Sequence, residues 1–200
     1  MTQSRKILGF AGLATVCLAL AGWFIVARRD VPKMGTDALS RAIELQEAGR
    51  YDKAVQVLQT WMKDSSRNTS HDGFLYIQIA MIYIARAYKK PATRDESIHE
   101  AQLNLEKSLD FVNKRDPEDN GFDLDGIGGA YEVLGDLSDK DKCQFYERAQ
   151  QAFARELPLI KGESYTAYGT TVPLEPIRLE VKKHLDRVNE KYPRAGCQSH

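Results

Sequence analysis

The sequence predicts an all-α fold: about three helical hairpins in an array, a C-terminal capping helix, and one transmembrane helix in front of them. Three observations predict it. Residues 42–61, AIELQEAGRYDKAVQVLQTW, carry two apolar helix faces separated by one glycine. A second pattern downstream recurs at a fixed offset of 48 positions. Residues 7–27 form an apolar run with no charged side chain.

The apolar run comes first. Its 21 residues, at about 1.5 Å each, reach across a hydrocarbon core of about 30 Å. Trp23 and Phe24 sit near one end, where membrane proteins place aromatic belts. Ala19-Leu20-Ala21 fits a signal-peptidase site formally, but Trp23-Phe24-Ile25-Val26 prolongs the run beyond it. A lipoprotein site needs a small residue before Cys17, and Val16 stands there. Residues 1–29 therefore read as an uncleaved signal-anchor. Arg5 and Lys6 precede the span while Arg28, Arg29 and Lys33 follow it, so the positive-inside rule nearly ties. A short N-terminal tail usually stays in the cytoplasm. The expected location of the domain is then extracytoplasmic, on the periplasmic side of a bacterial inner membrane. Ala11, Thr15, Ala19 and Gly22 share one face, at a spacing that lets a second helix approach closely. Ordinary span composition accounts for the same residues.

Residues 30–37 read as a linker, since Pro32 and Gly35 interrupt a helix and Thr36 or Asp37 can cap the next one. Residues 38–64 form the first hairpin. Gly49 can take the positive φ that ends a helix, and Tyr51 and Ala54 restart the apolar period. A polar connector follows at residues 65–73. The segment FLYIQIAMIYIARAY, residues 74–88, is apolar on nearly every side, which predicts a central helix buried all round. Lys89-Lys90-Pro91 ends it. Residues 95–113 supply the return helix, with Ile98, Ala101, Leu105 and Leu109 on one face.

The third hairpin repeats the second. Tyr76, Ile79, Ala80 and Tyr83 match Leu124, Ile127, Gly128 and Tyr131, and Ile98, Ala101 and Leu105 match Tyr146, Ala149 and Phe153, all offset by 48. Ala42 precedes Ala80 by 38 positions. A large residue, a branched-small pair and a tyrosine in helix A, then aromatic-x-x-Ala in helix B, resemble the tetratricopeptide repeat (TPR) family. The resemblance covers residues 36–157. Ala80 and Gly128 would stand where helices A and B touch. The sequence departs from the family in two respects: Tyr83 to Ala101 and Tyr131 to Ala149 span 18 positions each, about twice the family spacing, and the proline that follows a repeat is matched only approximately, by Pro117 and Pro158. Either the helices are longer or the connectors carry insertions.

Residues 158–173 read as an irregular loop. Residues 174–192 read as the capping helix, with Pro176 in its first turn and Ile177, Val181, Leu185 and Val188 as its buried stripe. Residues 193–200 read as a loose tail.

Little points to catalysis. Four of the 28 basic residues flank the apolar run, so residues 30–200 hold 24 basic and 28 acidic residues, a net −4 that argues against nucleic acid. His71, His99, His184 and His200 form no ligand spacing, and His184 reads as a solvated residue. Cys143 and Cys197 can pair in an oxidising compartment, or stand as one buried thiol and one tail thiol. Residues 121–132, GFDLDGIGGAYE, resemble a calcium loop at Asp123, Asp125, Gly126 and Glu132, but Gly121 holds the first ligand position. The simpler reading is an acidic helix start. No enzyme, cofactor or metal site is expected.

The resemblance implies a groove lined by the A helices, at Leu39, Ile43 and Gln46, then Phe74, Ile77, Met81 and Ile84, then Phe122, Asp125 and Glu132. An apolar groove with acids at one end suits an extended peptide or amphipathic helix. Alternatively, Ile77, Met81 and Ile84 are core, covered by the linker or the final helix. The expected function is a membrane-anchored adaptor or scaffold binding a protein or peptide partner. The alternative is an accessory subunit of a membrane complex, held through its span.

Overall fold

The computed structural model describes residues 33–64, 69, 72–115, 121–167 and 170–197. The apolar run, with Ala11, Thr15, Ala19 and Gly22, lies outside them. Among the described residues, no helix is long and apolar enough to cross a membrane.

The described chain is predominantly helical. Its α-helices are α1 (Lys33–Glu47), α2 (Tyr51–Met62), α3 (Asp72–Lys89), α4 (Arg94–Asn113), α5 (Gly121–Leu137), α6 (Lys142–Glu156) and α7 (Glu175–Arg194). Helices α1–α2, α3–α4 and α5–α6 pair as successive hairpins. The second hairpin touches the first through α2 and α3, and α5 packs on both α3 and α4. Helix α7 lies on α6 and reaches α5.

Gly49 does what its position predicts. It has φ +71°, and its N–H donates to the Gln46 carbonyl while the Arg50 N–H donates to that of Leu45. These two bonds satisfy carbonyls that the end of α1 would otherwise leave unpaired. Tyr51 then opens α2 and is buried, with the Lys90 ammonium 5.2 Å from its ring centre.

Helix α3 is the wall between two cores. Ile79 and Ile82 pack with Leu39, Ala42, Leu45, Ala54 and Leu58 of the first hairpin. Ile77, Ala80, Ile84 and Ala87 belong to the larger core of the second and third hairpins and α7. A helix apolar all round is thus buried from both sides, as its composition demands. Polar links reinforce this: Arg86 of α3 donates to Asp52 of α2 and Glu96 of α4, each at 3.1 Å.

The close approach expected at Gly128 is present. A Cβ there would stand 2.7 Å from the Phe153 ring, and one at Gly135 2.5 Å from the Tyr146 ring. The 18-residue spacing also resolves. A single 3₁₀ turn, Pro91–Thr93, separates α3 from α4, so the extra residues lengthen the helices rather than the connector.

Three expectations need correction. Helix α1 begins at Lys33, so the linker is shorter and Gly35, Thr36 and Asp37 lie within the helix. An interior glycine costs only about 1 kcal/mol, which tertiary packing overrides. The irregular loop contains an antiparallel hairpin, β1 (Ser164–Ala167) with β2 (Thr170–Pro173), pairing Tyr165 with Val172. Its aromatic and β-branched residues favour strand. The tail is not loose through Cys197, which is buried and disulfide-bonded to Cys143.

Candidate binding surface

Offsets of 38 and then 48 positions make the expected groove residues equivalent positions on successive A helices, and the structure divides them by what covers them. Leu39 of α1 is 8% exposed and packs in the first core. Ile77 and Ile84 of α3 are each 3% exposed. Ile77 lies against Gly126 of α5, so the next hairpin covers it, rather than the linker or the final helix. Asp125 and Glu132 of α5 occupy the same two positions one hairpin later, and there α7 covers them. Gln46, Ile43, Phe74 and Met81 are half-buried. Phe122 belongs to the first turn of α5, and its side chain lies outside the described residues. The row of A helices therefore leaves Ile43, Gln46, Phe74 and Met81 partly accessible at the edge of the cores, while Leu39, Ile77 and Ile84 serve packing.

The α5–α7 seam is ionic. Glu132, 4% exposed, accepts hydrogen bonds from Arg187 at 2.7 and 2.6 Å, and Lys191 lies 2.7 Å away. Burial pushes the Glu132 carboxyl up, but the bonds from Arg187 and Lys191 outweigh it and hold the group below its ordinary value. Lys191 also donates to Asp136 at 2.6 Å, and Asp136 accepts from the Tyr146 hydroxyl at 2.7 Å. His184 is not solvated. It is buried, with Nδ1 2.9 Å from Asp125 and its ring 5.4 Å from that of Phe153. Burial lowers its pKa, but the Asp125 hydrogen bond and charge win and leave it raised.

Glu156, at the end of α6, is fully buried, and neither carboxylate oxygen has a hydrogen-bond partner among the described residues. Burial first, then the charges of Asp125 and Asp123, push its carboxyl well above the usual range. The segment that resembles a calcium loop is continuous helix. Asp123 is in its first turn, 3.6 Å from Arg115, and Asp125 is engaged by His184. Among the described residues no cluster of His, Cys, Asp and Glu could hold a metal ion.

A shallow cleft of about 670 Å³ lies on the first hairpin and is lined by α1 and α2 residues with the start of the connector. Leu45, Val57 and Trp61 contribute apolar surface, and Arg41, Arg50 and Lys53 contribute charge. The sequence reading passed over this face. Its only available signal was the spacing of Lys53, Val57 and Trp61 along one side of α2.

Comparison with protein-family models, with curated proteins and with solved structures returned no match.

Proposed function

We propose that this chain is a membrane-anchored, TPR-like adaptor that holds a protein or peptide partner at a membrane surface. One observation carries the reading: three helical hairpins packed in succession, two of which repeat their contact residues at a fixed offset. Such stacks present an extended binding face along their first helices. The apolar run before α1 supports the anchor, and the mild negative charge of the rest argues for a protein partner over nucleic acid or anionic lipid. The Cys143–Cys197 disulfide supports an extracytoplasmic domain, since such bonds persist in oxidising compartments.

The test compares the unsubstituted chain with one carrying Ala11→Leu and Ala19→Leu, which keeps the apolar run but fills its small-residue face. A photo-cross-linker replaces Ile43 or Met81 in each, in the native membrane. The adaptor reading expects both chains to cross-link the same protein. Cross-links made only by the chain that keeps Ala11 and Ala19 would assign it to a membrane complex held through its span. Cross-links to no protein at all would sink both readings. Protease protection of a C-terminal tag tests the location: cleavage from outside the cytoplasm is expected.

A further inference from the structure

We infer that the cleft on the first hairpin is the seat of an acidic amphipathic helix from a partner. This inference rests on the adaptor reading and adds a second docking surface to it, since neither Ile43 nor Met81 lines the cleft. It begins from the two ends of the stack. At the C-terminal end, α7 lies across α6 and α5 and covers the last hairpin. At the N-terminal end, α1 and α2 line a cleft into which no residue of another described helix reaches. Lys53, Val57 and Trp61 run along one side of α2, with Asp64 just past its end, and Arg41 and Leu45 along the facing side of α1. The helical part of that stripe, from Lys53 to Trp61, is about 12 Å long at 1.5 Å per residue, matching about two turns of a docked helix.

Charge selects the occupant. Arg50 and Lys53 are exposed and form no ion pair with a described residue, and Arg41 shares a surface bridge with Glu44. The nearby acid Asp52 is engaged by Arg86 on the other side of α2. Asp64 is the one acid lining the cleft among the described residues. Three cations around an apolar floor favour a ligand with carboxylates flanking an apolar stripe. A second copy docked symmetrically would set these cations against themselves, which like-charge repulsion opposes. Residues 1–32 carry Arg5, Lys6, Arg28 and Arg29 against one acid, Asp30, so their charge suits the cleft no better.

The test uses the full chain in lipid nanodiscs. The probe is a fluorescein-labelled peptide of about 14 residues with leucine on one helical face and glutamate elsewhere. Its control carries lysine for every glutamate. Fluorescence anisotropy should show the glutamate peptide binding and the lysine peptide not. Arg50→Glu with Lys53→Glu should weaken the glutamate peptide about tenfold and let the lysine peptide bind. Loss of the glutamate peptide's binding in about 1 M salt is also expected. Equal binding of both peptides, no binding of either, or unchanged affinity in the charge-reversed chain would overturn the cleft. If the reversed chain melts early, Arg50→Ala with Lys53→Ala replaces it, with loss of affinity still required. A peptide that ignores the reversal but is lost with Met81→Glu overturns the cleft and leaves the adaptor reading standing. Failure of the cross-linking at Ile43 and Met81 sinks the adaptor reading by itself.

Discussion

Two seams of this molecule occupy equivalent places and are built from opposite chemistry. Between the second and third hairpins, Ile77 and Ile84 of α3 pack into an apolar core against α5. Forty-eight residues later, Asp125 and Glu132 of α5 meet His184, Arg187 and Lys191 of α7. The apolar seam joins units of the same design and rests on area removed from water, which is indifferent to pH. The ionic seam joins the last unit to a helix of another kind. Its geometry admits few alternatives, because a buried carboxylate tolerates only a position where its partners reach it. The difference teaches that the capping helix is registered by charge and that the hairpins are registered by shape.

The comparison can be broken most severely by exchanging the chemistries. Ile77→Asp places an unpaired charge in the apolar seam and should cost about 4 kcal/mol in urea unfolding. A loss under about 1 kcal/mol would mean that this seam is wet. Reduction of the Cys143–Cys197 bond, which closes a separation of 54 residues, should cost about 3 kcal/mol and free the end of α7 to exchange its amide hydrogens. Equal exchange before and after reduction would show that the ionic contacts alone hold that end. Glu132→Gln keeps the shape and removes the charge, and should cost about 2 kcal/mol. The loss should appear as faster exchange in α7 and leave α3 unchanged.

The smallest effect is the pH profile, and its sign differs between groups. Glu132 titrates below its ordinary value in the folded state, so its contribution is present above about 4.5 and is lost as the pH falls through the folded value. His184 titrates above its ordinary 6.5, so its contribution is complete below that pH and is lost as the pH rises through the folded value. Glu156 follows the same direction as His184, losing stability above about 4.5. Melting temperature should therefore peak in mildly acidic buffer. Glu156→Gln should raise it at pH 8 more than at pH 4, and an equal rise at both would show that folding does not raise the Glu156 carboxyl above its ordinary value.

Much of the fold was legible because its signals are local or periodic. Gly49 marks a helix end through its own φ, and Tyr51 restarts the pattern two residues later. The repeat pattern put Gly128 where helices A and B touch, and Phe153 of α6 is the side chain that meets it there. The all-round apolarity of residues 74–88 predicted a wall with core on both sides. What was not legible depends on contacts distant in sequence. His184 reads as solvated until Asp125, 59 residues away, is set beside it. The burial of Ile77 and Ile84 depends on which face of α3 the next hairpin takes, and a helix apolar on every side does not declare that. The cleft escaped notice because it spans two helices, and cations on a helix surface are ordinary.

The covalent bond has a mechanical meaning under the proposed anchoring, with load applied between the two ends of the chain. A pull entering ahead of α1 and leaving through the tail beyond Cys197 bypasses α6, the β-hairpin and α7, because Cys143 and Cys197 transmit it directly. The 54 residues of separation are then withheld from extension, which shortens the stretched contour by about 180 Å at about 3.3 Å per residue. Under load the first hairpins would give way while the stapled end kept its shape. The N-terminal hairpins are then the part of the molecule that can yield.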